Sequence, residues 1–577
     1  MAFIVTKKIN GKDYFYLQES KREGDKVKSV SLGYLGKTRD EAEKRMEEIL
    51  GNRETKSESV PPLRKPSQKD AEVLIQNQLK LIHKEISIEE LSNFCKRKGF
   101  VFRSSDIYGG FAGFWDFGSL GVELFNNIKK EWWDYFVRGK DNIVGMEASA
   151  ISHPRVWKAS GHLDNFNDVF VKCKKCGKTN KIDESEINNP ATRCDKENCK
   201  GEYEVVGKFN LMFSTDVGVG EKENVIKAYL RGETAQGMFA DFKLIKETSR
   251  QQLPFGIAQI GRCFRNEIAP RDFLFRSREF HIGEFEFFIN PKEMKCDLLS
   301  KEHLNLKFKF LDEEMQKKGS DELKESTIKE ILELKKLDEW HAYWLAEQIL
   351  WFKKIGLNNI KIREHTTDEL SHYSSATFDI DYEYPFGSKE VAGIANRGQY
   401  DLLQHQKESK EKMEIHDDKT NEKVIPRVIE PTFGMERIFL GVLVNSYYVD
   451  NEKGNVILKL PPRLAPIKAA IFPLVKGEKL EKISGEIVKE LKKDFNVVYD
   501  KSGSIGRRYA RNDEIGTPYC ITIDEDSLKN KDVTIRDRDS TKQIRVLVKD
   551  LRRILGELIR EEIEFEKAGK KIDTRKK

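Results

Sequence analysis

The stretch FRNEIAPRDFLFRSREF, residues 264–280, carries four arginines, three acids and four phenylalanines in seventeen positions. Three structures account for such a composition. One is a hairpin whose charges face solvent above packed phenylalanines, and another is a basic patch for nucleic acid. The third is a site in which arginine holds a phosphate and a ring is gripped from both faces. The stretch alone leaves all three open.

Composition limits the class of protein. A chain of 577 residues with 38% hydrophobic and 34% charged residues is long enough for three to five globular domains. The net charge of +6 comes from 102 bases and 96 acids, so a dominant basic field is excluded and a local basic face is not. No apolar run approaches a membrane span, and MAFIVTKK lacks a signal-peptide core. We therefore expect a cytoplasmic protein without membrane attachment.

Four of the eight cysteines predict a metal site. Cys173 and Cys176 form C-x2-C, and Cys194 and Cys199 form C-x4-C after seventeen intervening residues. Two such pairs suit two knuckles that deliver four thiolates to one tetrahedral Zn²⁺. The alternative is a ribbon held by packing alone. Because four thiolates leave no open coordination position, we expect a structural rather than a catalytic zinc.

The pattern along the chain predicts separate domains. Short β-like runs between residues 2 and 36 predict a small antiparallel sheet, residues 70–100 are predicted to be helical, and the strand that precedes Pro154 is predicted to stop there. The tryptophans of WHAYWLAEQILWFKK recur at helical spacing and are predicted to be core. The segment VIEPTFGMERIFL, residues 428–440, is predicted to be a strand that enters a helix at a glycine. The predicted domains are a β-rich extension at 1–60, a mixed α and β body at 61–460 with a cysteine insert at about 171–205 and a helical insert at about 292–356, an α/β unit with a mostly parallel sheet at 461–565, and a frayed polar tail at 566–577.

Several charged residues of the body suit phosphate chemistry. Arg265, Arg276 and Arg437 would give planar, permanently charged contacts to phosphate. Glu390 and Glu430 would hold Mg²⁺, which prefers carboxylates together with the phosphates of its substrate. Taken singly, each arginine is as well explained by a surface salt bridge. Neither a P-loop nor a G-x-G-x-x-G turn is present, so ATP would have to be held by arginines and rings.

A family resemblance joins these segments. FRNE at 264–267, REF at 278–280 and GMER at 434–437 resemble motifs 2 and 3 of class II aminoacyl-tRNA synthetases, and the helix and strand before Pro154 resemble motif 1. IYGGFAGFWDFG, RGETAQG, FGIAQIGRCFRNEIAPR, GIANRGQYDL, VIEPTFG and LAPIKAAIFPLV resemble the dimeric type of glycyl-tRNA synthetase. The resemblance spans roughly residues 85–560. It implies an antiparallel-sheet catalytic core with a zinc-ribbon insert, a C-terminal α/β anticodon-binding domain and a homodimer.

The same resemblance assigns an ATP site. Arg265 would contact the α-phosphate, Glu267 and Phe280 the adenine, and Arg276 the γ-phosphate of a bent ATP. Arg437 would lie above the adenine or reach the γ-phosphate. Arg265 and Arg437 are the predicted catalytic residues, and Glu390 and Glu430 the predicted magnesium ligands. The whole predicted ATP site is Arg265, Asn266, Glu267, Phe275, Arg276, Phe280, Glu390, Val391, Gly434 and Arg437.

Glycine has no side chain to grip, so a tight pocket must exclude any Cβ. The resemblance gives Glu233 and Glu284 as the carboxylates that read the ammonium group. Thr432 stands where the family has serine, and Gly232 stands where the family has proline. The predicted glycine site is Glu233, Glu284, Arg397, Gln399, Glu430 and Thr432.

The segment SGSIGRRYARNDEIGTP in the C-terminal unit is predicted to bind RNA. It is interpreted as a loop that presents Arg507, Arg508, Tyr509 and Arg511 to anticodon bases, because rings and guanidinium groups stack on unpaired bases. A solvated loop without an RNA contact is the alternative.

The function implied is ATP-dependent attachment of glycine to tRNA(Gly) through a glycyl-adenylate. The substrates are glycine, ATP and tRNA(Gly), with Mg²⁺ and a structural Zn²⁺ as cofactors. Two alternatives remain: a synthetase-like protein that binds nucleic acid without catalysis, and a class IIa synthetase for another small amino acid. The role of residues 1–60, the identity bases of the tRNA and any side activity are not predicted.

Overall fold

The computed structural model describes three strands near the start of the chain and most residues after position 85. The described residues are 2–9, 12–23, 26–36, 39, 43, 81–83, 85–182, 193–194, 196, 198–219, 225–370, 374–450 and 454–572. The chain divides into two units, Met1–Gln76 and Asn77–Lys577. The predicted helix between residues 70 and 80 lies outside the described residues.

The first unit contains the antiparallel sheet that the sequence predicts. Its strands are Ala2–Ile9, Lys12–Glu23 and Lys26–Gly36, in that order. Both pairings are antiparallel.

A nine-stranded sheet forms the centre of the second unit. Its strands are antiparallel except at two pairings, Lys307–Leu311 with Ile360–Glu364 and Phe255–Phe264 with Ile143–Gly145. Strand Glu279–Ile289 is buried at every position after His281, because the sheet is covered on both faces there. The strand order is Lys324–Thr327, Lys307–Leu311, Ile360–Glu364, Ala376–Tyr384, Gly387–Gly398, Arg427–Gly434, Glu279–Ile289, Phe255–Phe264 and Ile143–Gly145.

Helix Glu339–Lys354 packs against the middle of this sheet. It begins at Asp338, whose carboxylate accepts from the backbone N–H groups of Trp340 and His341 at 2.9 and 3.0 Å. Trp340, Trp344 and Trp351 are buried in the main core, so the predicted core role of these tryptophans is confirmed. The strand that ends at Gly434 continues directly into helix Met435–Ser446, as the sequence predicts.

Other helices and short sheets surround this centre. The remaining helices of the body are Ile88–Lys98, Ser119–Trp133 with a π-helical turn Asp134–Arg138, Pro154–Ala159, His162–Asn165, Ala235–Ala240, Phe242–Ser249, Lys301–Leu304, Glu313–Lys317, Ile328–Glu333 and Tyr400–Ser409. The short sheets contain Asn167–Cys173 with Thr179–Ile182 and Tyr203–Asn210, Ser214–Val217 with Ile226–Leu230 and Ile151–Ser152, Val101–Arg103 with Trp115–Phe117, Ile415–Asp417 with Glu422–Val424, and Tyr447–Asp450 with Val456–Leu458 and Leu81–His83.

Three local predictions differ from the structure. The region predicted as a helical insert also contains strands Lys307–Leu311 and Lys324–Thr327, because KFKFL alternates apolar and charged residues with a period of two. Within 70–100, Leu81–His83 is a strand. The single strand predicted before Pro154 is two short strands, Ile143–Gly145 and Ile151–Ser152. The second stops before Pro154 as predicted, and Pro154 then starts a helix because proline fits the first helical position after the His153 cap.

The last part of the second unit, which corresponds to the α/β unit predicted at 461–565 and is called the C-terminal unit below, has its own sheet and core. Only its first two pairings are parallel, so the prediction of a mostly parallel sheet is wrong. Residues 538–542 are too short a connection for the crossover that parallel strands need. The predicted frayed tail also contributes strand Lys570–Lys571, whereas residues after 572 are outside the description. The sheet order is Val497–Tyr499, Ala469–Pro473, Tyr519–Ile523, Asp532–Asp537, Gln543–Leu547 and Lys570–Lys571, and the helices are Glu478–Leu491, Ile505–Glu514, Glu525–Asn530 and Leu551–Ile559.

Across the part of the chain that the structure describes, no helix combines the length and the apolar content that a bilayer crossing requires.

Candidate active site

One cleft of about 130 Å³ brings together most of the predicted ATP residues. It lies where the antiparallel strands Phe255–Phe264 and Glu279–Ile289 meet strand Arg427–Gly434 and the helix that follows. The predicted residues that line it are Arg265, Glu267, Phe275, Arg276, Phe280, Glu390, Thr432, Gly434 and Arg437.

Two of the three cleft arginines are held by acids. Arg276 donates through Nε and Nη2 to the same Glu267 oxygen, at 2.7 Å for Nε. Arg437 Nη1 lies 3.0 Å from Glu390 Oε2. The Arg437 guanidinium lowers the pKa of Glu390, an exposed residue, from its ordinary value. Both arginines therefore have an anion partner that a phosphate group could replace.

The third cleft arginine is held by rings. The Arg265 guanidinium lies 5.3 Å from the ring centres of both Phe166 and Phe280. Its Nε donates to the Gly232 carbonyl oxygen at 3.1 Å. Arg437 likewise lies 4.5 Å from the ring centre of Phe275. Of the three structures considered for residues 264–280, these contacts favour the site in which arginines could hold phosphate, because the aromatic rings orient the arginines that line the cleft.

Buried Arg231 holds the loop that carries Glu233. Its guanidinium donates to the carbonyl oxygens of Arg262 and Ala148 at 2.7 and 2.8 Å. A Cβ at Gly261 would stand 2.4 Å from Arg231 Nη2, so only glycine allows this close approach. The loop is thus tied to strand Phe255–Phe264 beside the cleft.

The predicted glycine residues other than Gln399 form a largely buried polar cluster next to the cleft. Glu284 accepts from Thr432 Oγ1 at 2.8 Å and from Thr234 Oγ1. Arg397 donates to Glu430 at 2.7 Å and lies 3.9 Å from Glu233. The second hydroxyl that Thr234 supplies was not predicted from the sequence.

Helices on either side of the cluster add further polar partners. Arg397 makes a bidentate contact to Asp401, at 2.7 and 2.9 Å. Gln236 donates to both Glu233 and Asp401, at 3.0 and 2.9 Å. His162 Nε2 lies 3.2 Å from Glu233 Oε2. The carboxylate of Glu233 is therefore fixed from two directions.

Acids outnumber bases in this buried cluster, among the residues that the structure describes. Burial, followed by the negative charge of Glu233, raises the pKa of Glu284. Burial opposes ionisation of Glu233 as well, but His162 and Arg397 outweigh it and lower the pKa of Glu233. An excess of carboxyl groups favours a cationic ligand such as an ammonium group. The acids are Glu233, Glu284, Glu286, Asp401 and Glu430, and the bases that contact them are Arg397 and His162.

Some predicted residues lie apart from their assigned groups. Glu430 belongs to the buried acid cluster and does not line the cleft with Glu390, so the predicted magnesium pair is not brought together. Val391 is fully buried in the main core, and exposed Asn266 does not line the cleft. Gln399 donates to the Ile425 carbonyl oxygen instead of joining the acid cluster.

His162 and Phe166 are the main site residues that the sequence did not predict. Both lie just before strand Asn167–Cys173, at the root of the cysteine insert, and they contact Glu233 and Arg265 respectively. A lone histidine or phenylalanine far from the motifs gives no pattern. Only the tertiary contacts show that these two residues belong to the site.

The four predicted metal ligands converge. The sulfur atoms of Cys173 and Cys199 are 3.6 Å apart, as are those of Cys176 and Cys194. Zinc–sulfur bonds of about 2.3 Å in a tetrahedron would separate sulfurs by about 3.8 Å, so the thiolates fit a zinc ion. A Cβ at Gly201 would stand 2.6 Å from Cys173 Sγ, which explains glycine at that position.

The predicted RNA residues lie on helix Ile505–Glu514 and not on a loop. Arg508 is only 4% exposed and donates to the carbonyl oxygens of Pro473 and Leu474, at 2.6 and 3.2 Å. Tyr509 bonds to Thr522 at 2.8 Å. Burial therefore removes Arg508 from the predicted RNA contact and gives it a structural role.

Of the four predicted RNA residues, Arg507 and Arg511 are exposed. Arg511 reaches back to the Asp500 carboxylate, within the same domain.

Comparisons with known proteins agree with this architecture. Residues 468–558 match the family model described as anticodon binding domain. Glycine–tRNA ligase of Borreliella burgdorferi is 41% identical over 475 residues, which cover 81% of this chain and 96% of that protein. Glycine–tRNA ligase of Geobacillus thermodenitrificans is 41% identical over 501 residues, covering 82% of this chain and 98% of that protein.

A solved structure shares the fold at low sequence identity. It is the prolyl-tRNA synthetase of Cryptosporidium parvum complexed with halofuginone and AMPPNP, at a TM-score of 0.50 and 15% identity over 82% of this chain and 75% of that one. Its likeness shows the class II synthetase fold alone. The relatives near 40% identity align along almost their entire length. The chain therefore belongs to the glycine–tRNA ligase family.

Proposed function

We propose that this chain attaches glycine to tRNA(Gly) in two steps, with ATP as the energy source. A glycine carboxylate oxygen attacks the α-phosphorus of ATP, and the bond to pyrophosphate breaks. A terminal ribose hydroxyl of the tRNA then attacks the carbonyl carbon of glycyl-adenylate and releases AMP. The observation that carries the proposal is the buried acid cluster lying directly beside a cleft lined by three arginines.

The arginines act by neutralising phosphate charge. Arg265 would contact the α-phosphate, where negative charge builds as glycine attacks, and Arg276 and Arg437 would hold the outer phosphates. Phe280 would support the adenine. No side chain need act as nucleophile, because such a reaction depends on positioning and electrostatics.

Glycine selection rests on charge and space. Glu233 and Glu284 would bind the ammonium group, and the Thr432 hydroxyl keeps Glu284 oriented. The threonine methyl group, where the family has serine, narrows the pocket further. The Arg397 guanidinium supports Glu430 and Glu233 from beneath and acts through them.

Two metal ions belong to the proposal. Glu390 lines the cleft and would hold Mg²⁺ together with the phosphates of ATP. Mg²⁺ supplies charge neutralisation on the phosphates when bound. Glu430 has no part in this because Arg397 already holds it inside the acid cluster. Zn²⁺ would be bound by Cys173, Cys176, Cys194 and Cys199, and it would stabilise the insert.

The anticodon-binding role of the C-terminal unit is proposed from the family model and from its basic helix. Exposed Arg507 and Arg511 would contact RNA, whereas Arg508 supports the end of strand Ala469–Pro473.

A homodimer is proposed for this chain. The loop before helix Ser119–Trp133 exposes Ile107 and Tyr108, each at 87%, and Phe111 at 65%. Large apolar side chains exposed together favour a covering partner. Light scattering should give about twice the chain mass, and a monomer mass at micromolar concentration would refute the dimer.

Aminoacylation tests the function directly. Purified protein incubated with tRNA(Gly), labelled glycine and ATP should produce labelled tRNA and one AMP per glycine attached. The same assay without ATP, and with Arg265→Ala, provides the controls. Binding of tRNA without charging would support the non-catalytic alternative instead.

A further inference from the structure

One buried carboxyl group in the acid cluster has no assigned role. Glu286 is fully buried, and in the described structure neither of its oxygens has a hydrogen-bond partner. An isolated ionised carboxylate in such a place costs several kcal/mol even after relaxation. A neutral carboxylic acid removes most of that penalty but still needs an acceptor for its proton.

The strand register supplies an acceptor. On strands Glu279–Ile289 and Arg427–Gly434, Glu284 pairs with Thr432 and Phe287 pairs with Ile429, so Glu286 stands opposite Glu430. One carboxylate oxygen from each of Glu284, Glu286 and Glu430 lies within 4.8 Å of the other two. Like charges directly opposite on neighbouring strands destabilise a sheet.

The surrounding charges leave Glu286 without a cation of its own. It is faced by Glu284 on its own strand, Glu430 on the next, Arg397 on strand Gly387–Gly398 and Asp401 on the helix beyond. Arg397 is already bonded to Glu430 and Asp401. Burial, and then Glu430, raises the pKa of Glu286 well above its ordinary value.

We propose that Glu286 and Glu430 share one proton, with Glu286 as the neutral acid that donates to the Glu430 carboxylate. Glu286 is then a positioning residue: it orients Glu430 and Arg397, which in turn support Glu233 in the glycine pocket. The effect on glycine rests on the proposed function, whereas the shared proton rests on the geometry alone. A shared proton also leaves the cluster with less excess negative charge, closer to what a single ammonium group can neutralise.

A metal ion among the three acids is the competing explanation. It would place a second positive charge next to Glu284, the carboxylate proposed to hold the ammonium group. The shared proton avoids this repulsion. Elemental analysis should therefore find no metal ion that the parent protein binds and the Glu286→Gln variant loses.

Two variants separate donation from packing. Glu286→Gln keeps the shape and an N–H donor, so kcat/KM for glycine in pyrophosphate exchange should fall by less than about threefold. Glu286→Leu removes the donor, so KM for glycine should rise about tenfold or more while KM for ATP stays within about twofold. Equal losses in the two variants would overturn the proposal.

Infrared spectroscopy of the intact protein tests the proton itself. The difference spectrum between the parent and Glu286→Gln should contain a C=O stretching band of a protonated carboxylic acid at neutral pH, and the band should shift in D2O. A carboxylate band in its place would overturn the proposal. The spectrum needs no substrate, so failure of the glycine ligase function would appear in the exchange assay and not here.

Discussion

Arg265 differs from the other cleft arginines in what holds it. Arg276 and Arg437 are paired with acids, but in the described part of the chain Arg265 has no carboxylate within ion-pair distance and is stacked between two phenylalanine rings. Its charge is thus available to phosphate without displacing an anion. Phosphate binding at the other two requires Glu267 or Glu390 to give up part of its contact.

Arg265→Ala should slow glycyl-adenylate formation by about a hundredfold or more, because a donor to charge that builds in the transition state is worth ~3 kcal/mol. The kcat and kcat/KM should fall together. Arg265→Lys should restore little, since a point charge lacks the planar fork. Exposed Arg262, on the strand that precedes Arg265 and paired with Glu279, provides a matched control as Arg262→Ala. Pyrophosphate exchange measures both, and equal losses would contradict the assignment.

Glu284→Gln should act on glycine and spare ATP. A buried ammonium group would lose a charged partner at a cost of about 2 kcal/mol, so KM for glycine should rise at least tenfold.

At low pH, the KM for glycine of the parent protein should also rise, and the Glu284→Gln variant should lack this rise. Because the pKa of Glu284 is raised, lowering the pH protonates this residue before ordinary glutamates and removes the charge that binds ammonium. Measuring KM for glycine as a function of pH checks the direction of this change. A KM that falls on acidification would contradict it.

Two elements carry accessory roles beside the catalytic sheet. The cysteine insert begins at strand Asn167–Cys173, immediately after Phe166, which stacks on Arg265. Helix Ile505–Glu514 presents two exposed arginines and buries a third. The first element therefore begins beside the proposed adenylation site, and the second carries the arginines proposed to contact tRNA.

Cys176→Ser should abolish stoichiometric zinc binding and loosen the insert, because a structural zinc supplies the folding energy of its small ribbon. Zinc content and limited proteolysis measure the two effects. Cys296→Ser is the control, since Cys296 is buried far from the cluster in the main core. One zinc per chain retained in Cys176→Ser would contradict the four-cysteine site.

The double variant Arg507→Ala, Arg511→Ala should weaken aminoacylation and leave pyrophosphate exchange nearly intact, because adenylate formation does not need tRNA. Arg508→Ala should instead lower the unfolding free energy by about 2 kcal/mol, since the buried carbonyl oxygen of Pro473 and the partly buried one of Leu474 lose their guanidinium donor. Thermal unfolding separates the two variants. A larger loss of aminoacylation with stable Arg508→Ala would restore Arg508 to the RNA surface.

Individual helices, strands and motifs with a clear sequence pattern were predictable, whereas contacts between segments distant in sequence were not. Strand Arg427–Gly434 and its following helix were predicted from the glycine at their junction, and the cysteine cluster from spacing alone. The burial of Arg508 was not predictable, because GRRYAR has the same composition whether its helix exposes that arginine or packs it. The contact between Glu430 and Arg397 was not predictable for the same reason, because Arg397 comes from another strand.

At the scale of the whole molecule, the segment between the body and the C-terminal unit is held by polar contacts. Arg463 pairs with Glu131 of helix Ser119–Trp133 at 3.4 Å and with Glu561 at 2.8 Å. Asn127 of the same helix donates to the carbonyl oxygens of Leu464 and Ala465 at 3.1 Å. The helix that follows the exposed loop of the proposed dimer interface therefore also contacts the segment that leads to the anticodon-binding domain.

The central claim is that this arrangement activates glycine in preference to other amino acids. Pyrophosphate exchange measured with each amino acid separately, at equal concentration, tests it most directly. We expect strong ATP-dependent exchange with glycine and at least a hundredfold less with alanine, because an added methyl group would crowd Thr432 and the buried acids. Exchange with alanine, serine, threonine or proline equal to that with glycine, or no exchange with any amino acid, would contradict it.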